Sequence, residues 1–133
     1  MEFHVDGSPK AKRFVESLLP SMIEQLKLTK SRKLLHVIID PELEDLGTTV
    51  PLKGLDTYLV VLRPVKDIAA LGATLAHELT HVAQFAKGTL QITPRGKRWK
   101  GKYYGRRVPY LEQPWEIQAF AKQEIIMRRA IEL

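Results

Sequence analysis

Two histidines four residues apart, with a glutamate directly after the first, form the run His77-Glu78-Leu79-Thr80-His81. On a helix, positions i and i+4 project from one face a turn apart, so both imidazoles can reach a single ion at about 2.0–2.1 Å. Glu78 borders that line without joining it. It is close enough to touch a water on the ion and badly set to be a ligand itself. Such a glutamate can take the proton of a water whose pKa a metal has drawn toward about 7. The pattern is specific enough to carry a zinc hypothesis when it lies within a helix. The plainer alternative leaves both histidines as solvated helix residues.

A catalytic zinc needs three protein ligands and an open fourth position. The chain has no cysteine, so the third ligand must be His, Asp or Glu, and neither a disulfide framework nor a cysteine nucleophile is available. No histidine follows His81, while His4 lies near a terminus expected to fray and His36 on a predicted strand. The carboxylates after the motif are Glu112, Glu116, Glu124 and Glu132. Glu116, beside Pro114 and Trp115 in the first turn of a predicted helix, is the expected third ligand. The plain alternative is an acid favoured by a helix N-terminus. Glu112 is the substitute ligand. Glu124, two turns beyond Glu116, is the expected acceptor for a ligand histidine's free N–H.

These residues need rigid supports. Asp67 to Gly88 reads as the most secure helix: an Asp N-cap, a Gly C-cap, alanine- and leucine-rich sequence between, and Leu71, Leu75, Leu79, Val82 and Ala86 in one apolar stripe. Thr74, His77, His81 and Gln84 line up beside it. Pro114 opens a final helix to about Ile131. Pro9 to Leu28 predicts an amphipathic helix with Ser8 as N-cap, kinked or split at Pro20. Lys33–Asp40 and Thr57–Arg63 read as strands, each ended by proline. Residues 42 to 55 read as a loop or poorly formed hairpin, and residues 89 to 110, with glycines at 96, 101 and 105, as a loop, a twisted hairpin or both.

At 133 residues with no linker-like stretch, one domain with its own core is expected. Apolar residues at 44% and charged residues at 27% exclude a disordered or membrane-embedded chain. The start lacks the basic stretch and apolar run of a secretory signal, so a cytoplasmic protein is expected; release by lysis or carriage in a virion would leave no trace in the sequence. The net charge of +6 is concentrated: residues 95 to 107 hold seven of 21 basic residues and no acid, leaving 14 basic against 15 acidic groups elsewhere.

The run HELTH on one helix, followed by a glutamate on a later helix, resembles the gluzincin metallopeptidases, and the small size resembles their minimal members, the minigluzincins. HELTHVAQFAKG, RWKGKYY and YLEQPWEIQAF are similar to segments of short phage-type metallopeptidase-like proteins, over about residues 67 to 121. The resemblance implies a zinc peptidase with His77, His81 and Glu116 as ligands and Glu78 as base and acid. It implies a tyrosine at the oxyanion, for which Tyr110 is the candidate with Tyr103 and Tyr104 behind it. It also implies that Thr57 to Arg63 is the edge along which an extended substrate pairs. Larger gluzincins place an Asp four residues after the ligand Glu, whereas position 120 here is Phe, so another group must orient the histidine. Only 52 residues follow His81, too few for a large second subdomain within this chain.

The expected fold is therefore α+β, a minimal zincin-like domain: an N-terminal helix, a small sheet, the H-E-x-x-H helix, a basic loop or hairpin, and a C-terminal helix bearing the third ligand. The expected activity is zinc-dependent peptide hydrolysis on a peptide or protein substrate. One alternative is a catalytically inactive, zinc-stabilised binding or virion structural module. The other is a nucleic-acid-associated protein using residues 95 to 107, where cations interleave with Trp99, Tyr103 and Tyr104. A solvated basic hairpin bordering the cleft, drawing acidic peptide or anionic polymer, is the favoured reading of that stretch.

Overall fold

The computed structural model describes residues 1–132. It is α+β, with three α-helices and two small sheets. Glu2–Asp6 (β1), near the expected frayed end, pairs in parallel with Leu34–Ile39 (β2), which pairs in parallel with Thr57–Leu62 (β4). Gly47–Leu52 (β3) pairs antiparallel with β4, completing the order β1-β2-β4-β3.

Two expectations change here. Residues 47 to 52 form a strand, and Thr57–Leu62 is an interior strand flanked by β2 and β3, so the edge belongs to β3. The reason is visible at Pro51. Proline cannot donate to a ladder, so a segment carrying it joins a sheet at the edge, and its proline and glycine mask the β signal in the sequence. Pro51 lies opposite Tyr58 in the antiparallel register.

Alternation explains which side of the sheet is covered. Leu35, Val37 and Ile39 of β2 and Tyr58, Val60 and Leu62 of β4 are buried, with Val5 of β1, against the helices. Pro9–Gln25 (α1) contributes Val15, Leu18, Leu19, Met22 and Ile23. Pro20 is exposed, and α1 runs through it as a single helix. Ile68–Ala86 (α2) crosses the middle of the molecule, started by Asp67, whose carboxylate accepts from the N–H groups of Ala69 and Ala70, and ended just before Gly88 at φ +73°.

Residues after α2 form a three-stranded meander, Leu90–Thr93 (β5), Gly96–Trp99 (β6) and Lys102–Tyr104 (β7). Lys100 and Gly101 make its second turn with φ +49° and +86°, the positive-φ pair that a type I′ hairpin requires. Leu90, Trp99 and Trp115 pack together with Phe85 and Tyr104, docking the meander on Pro114–Glu132 (α3) and the end of α2. Among the described residues no helix is long and apolar enough to cross a membrane.

Candidate metal centre

The second half of α2 is buried continuously from Leu75 to Gln84, although His77, Glu78, Thr80, His81 and Gln84 fall within it. Burying this much polar surface is costly unless each group has a partner. Thr80 spends its hydroxyl on the Ala76 carbonyl, 2.8 Å away, inside the helix. The other four face α3 and β3 and are partnered there.

His77 and His81 stand edge to face, ring centroids 4.9 Å apart. Both turn Nε2 toward one oxygen of Glu116, whose Oε1 is 2.8 Å from His77 Nε2 and 3.1 Å from His81 Nε2. Glu116 is buried in the first turn of α3, where the helix N-terminus favours a carboxylate. The opposite ring atoms have acceptors: His77 Nδ1 is 2.8 Å from Gln123 Oε1, and His81 Nδ1 is 2.7 Å from Gln84 Oε1. Gln84 cannot present its amide nitrogen instead, because that nitrogen donates to the Trp115 carbonyl and to Gln118 Oε1, each at 3.0 Å.

This arrangement suits one tautomer of each neutral ring. With Nδ1–H donating to a glutamine oxygen, a neutral imidazole carries a lone pair on Nε2. In that tautomer both Nε2 atoms turn lone pairs to the Glu116 oxygen, and the contact is relieved by a metal ion among them or, in the metal-free protein, by a proton on a ring Nε2 that donates to Glu116. Ligands about 2.0–2.1 Å from a tetrahedral ion lie roughly 3.3 Å from one another, so separations of 2.8 and 3.1 Å need only a few tenths of an ångström of opening. Two imidazoles and a carboxylate could hold zinc and leave a fourth position open.

Glu78 also has an oxygen within 4.8 Å of the ring nitrogens. It is held off by β3: the Thr49 hydroxyl is 2.8 Å from Glu78 Oε1 and 3.1 Å from the Glu78 carbonyl oxygen. Gly47 lets β3 approach, since a Cβ there would fall 2.9 Å from both Glu78 Cγ and Thr74 Cγ2. A cleft of about 650 Å³ opens over these groups, walled by β3, Phe85, Lys97, Tyr110, Trp115 and Phe120.

Proton affinities follow from this packing. Burial pushes the Glu78 carboxyl up, against smaller downward pulls from His81, the Thr49 hydroxyl and His77. Burial also pushes Glu116 up, but its bonds to His77 and His81 outweigh that and hold it far below the usual carboxylate range. For His77, burial works downward and is overcome by Glu116 and Gln123, so its affinity rises. The Tyr110 hydroxyl, 3.1 Å from Glu116 Oε1, is pushed well up by burial and by that carboxylate.

Of the expected site residues, His77, Glu78, His81, Glu116 and Tyr110 are brought together. Glu112 is exposed on the short turn before α3, and Glu124 is exposed on α3. The acceptor for His77 is Gln123, seven residues or two turns beyond Glu116, a spacing that could have identified it. Phe120 packs its ring 4.5 Å from that of His77. Tyr104 packs on Trp115 and Tyr103 is exposed under Arg98. Nothing local in the sequence marks Thr49 and Gly47, which act through contacts between β3 and α2.

In the basic stretch each aromatic ring has a cation over one face. Lys97 lies over Trp115, Arg98 over Tyr103, Lys100 over Trp99 and Lys102 over Tyr104, at 5.1 to 5.7 Å. The rings that would stack on bases already carry the chain's own cations. Comparison with models of known protein families, with curated proteins and with solved structures finds no match.

Proposed function

We propose that this chain is a zinc-dependent metallopeptidase of the gluzincin type, a minimal zincin-like domain with His77, His81 and Glu116 as ligands and Glu78 as general base. One observation carries the reading: both Nε2 atoms, on rings whose Nδ1 atoms lie against the Gln123 and Gln84 amide oxygens, converge on the Glu116 carboxylate at the floor of an open cleft.

Zinc in such a set supplies Lewis acidity, drawing the pKa of water toward about 7 and polarising a carbonyl. Glu78 takes a proton from water as the water oxygen bonds to the scissile carbonyl carbon, and passes it to the amide nitrogen as the C–N bond breaks. Burial raises its proton affinity in the zinc-free protein. Thr49 orients it. Tyr110 stays protonated at neutral pH and donates its O–H toward the carbonyl oxygen as charge develops there. Among the described residues no strand pairs with the outer edge of β3, so an extended peptide can add to it beside Glu78. Lys97, on the cleft wall, favours acidic side chains in that peptide.

The test is Glu78→Gln, which removes the base and keeps the shape. The reading expects zinc bound as in the wild type and no cleavage of a mixed peptide library that the wild type cleaves. Equal cleavage by the variant overturns it.

A further inference from the structure

The parallel pairing of β1 with β2 puts His4 directly beside His36, and the strand period puts Asp6 on the same face as His4. Val5, Val37 and Val60 point into the core, so this second group lies on the sheet face turned away from the helices and the cleft. The Asp6 carboxylate serves both rings with different oxygens: Oδ1 is 3.2 Å from His4 Nε2 and Oδ2 is 2.7 Å from His36 Nε2. The ring centroids are 5.3 Å apart, against 4.9 Å for His77 and His81. One atom from each residue lies within 4.8 Å of the others.

We propose that His4, Asp6 and His36 form a second divalent-metal site, for a borderline transition ion such as zinc or nickel, that ties the first strand to the sheet. Two imidazoles and one carboxylate suit these ions, whereas Mg2+ prefers oxygen ligands and keeps its water. The ligands stand on paired strands, so their backbone positions are set before the ion arrives. Among the described residues β1 pairs only with β2, so a clamp here ties down an edge strand. Solvent supplies the remaining coordination, since His4 and Asp6 are more than half exposed. An ion here replaces the imidazole–carboxylate hydrogen bonds with three metal bonds. The site is independent of the cleft and of the peptidase reading.

The test is zinc titration of the full chain after metal removal, by calorimetry and by NMR of 15N-histidine. The expected result is two zinc equivalents per chain, with the weaker one moving the ring signals of His4 and His36. Asp6→Asn and His36→Asn should each reduce the total to one and leave the tight equivalent unchanged. Glu116→Ala should weaken the tight equivalent and leave the His4 and His36 shifts in place. Ni2+ should reproduce those shifts and Mg2+ should not. No zinc-dependent movement of the His4 and His36 ring signals in the wild type, or an unchanged zinc stoichiometry in both Asp6→Asn and His36→Asn, overturns the proposal. Failure of the tight site alone would bear on the cleft instead.

Discussion

Exchanging Gln84 for leucine removes the acceptor of His81 while keeping most of the side chain's volume. In the native arrangement His81 Nδ1 lies 2.7 Å from Gln84 Oε1, and Gln84 is 3% exposed. Water cannot replace the lost oxygen there, so the N–H is left buried without a partner, at a cost of about 1–3 kcal/mol. The proton can escape only by moving to Nε2, which removes the lone pair a metal needs. The expected loss in zinc affinity is therefore near the upper end of the roughly 10- to 100-fold typical of such supporting contacts. Gln123→Leu is the internal control. It breaks the equivalent bond to His77, 2.8 Å long, but Gln123 is half-buried and water can take its place, so about tenfold is expected. Competition against a chromophoric zinc chelator measures both. Unchanged affinity in Gln84→Leu, or a larger loss in Gln123→Leu, would refute the reasoning.

Other perturbations test other parts of the account. Gly47→Ala puts a methyl group 2.9 Å from Glu78 Cγ and Thr74 Cγ2; peptide hydrolysis should fall with zinc still bound, and thermal or urea unfolding should show a stability loss of about 1–3 kcal/mol. Tyr110→Phe should lower kcat by roughly 100-fold with little change in KM, the signature of an oxyanion donor, in steady-state kinetics on a cleaved peptide. The zinc-free protein should lose stability as pH rises. His77 is raised, so its contribution is complete below the unfolded value of 6.5 and fades as pH climbs through the folded value, and raised Glu78 acts in the same direction from 4.5 upward. Depressed Glu116 opposes them only at the acidic end, where its contribution is lost below 4.5. Zinc needs deprotonated ligands, so its stabilising increment should grow over the same range; melting curves at pH 6 and 8, with and without chelator, check both signs.

What the sequence made legible was local. His77, Glu78 and His81 stand on a helix whose Asp67 and Gly88 mark its ends, and Glu116 is the one later carboxylate in the first turn of the helix that Pro114 opens. Gln84 and Gln123 are legible in retrospect at three and seven residues from ligand positions. What stayed hidden depends on pairing between distant segments. β3 is disguised by Gly47 and Pro51, yet only the close approach that Gly47 permits delivers Thr49 to Glu78. β1 gains its order from the register with β2, which also turned two unrelated histidines, His4 and His36, into neighbours. Glu124 carries the charge but lies about 100° round the helix from Gln123, so the neutral side chain and not the acid reaches His77.

The central claim concerns where an ion sits and which atoms hold it. Anomalous diffraction at the zinc edge, on crystals grown with zinc, should give a peak about 2.0–2.1 Å from Nε2 of His77, Nε2 of His81 and a carboxylate oxygen of Glu116. A structure with zinc present in which no peak lies among those three atoms, or in which Glu116 points away from both rings, would contradict it.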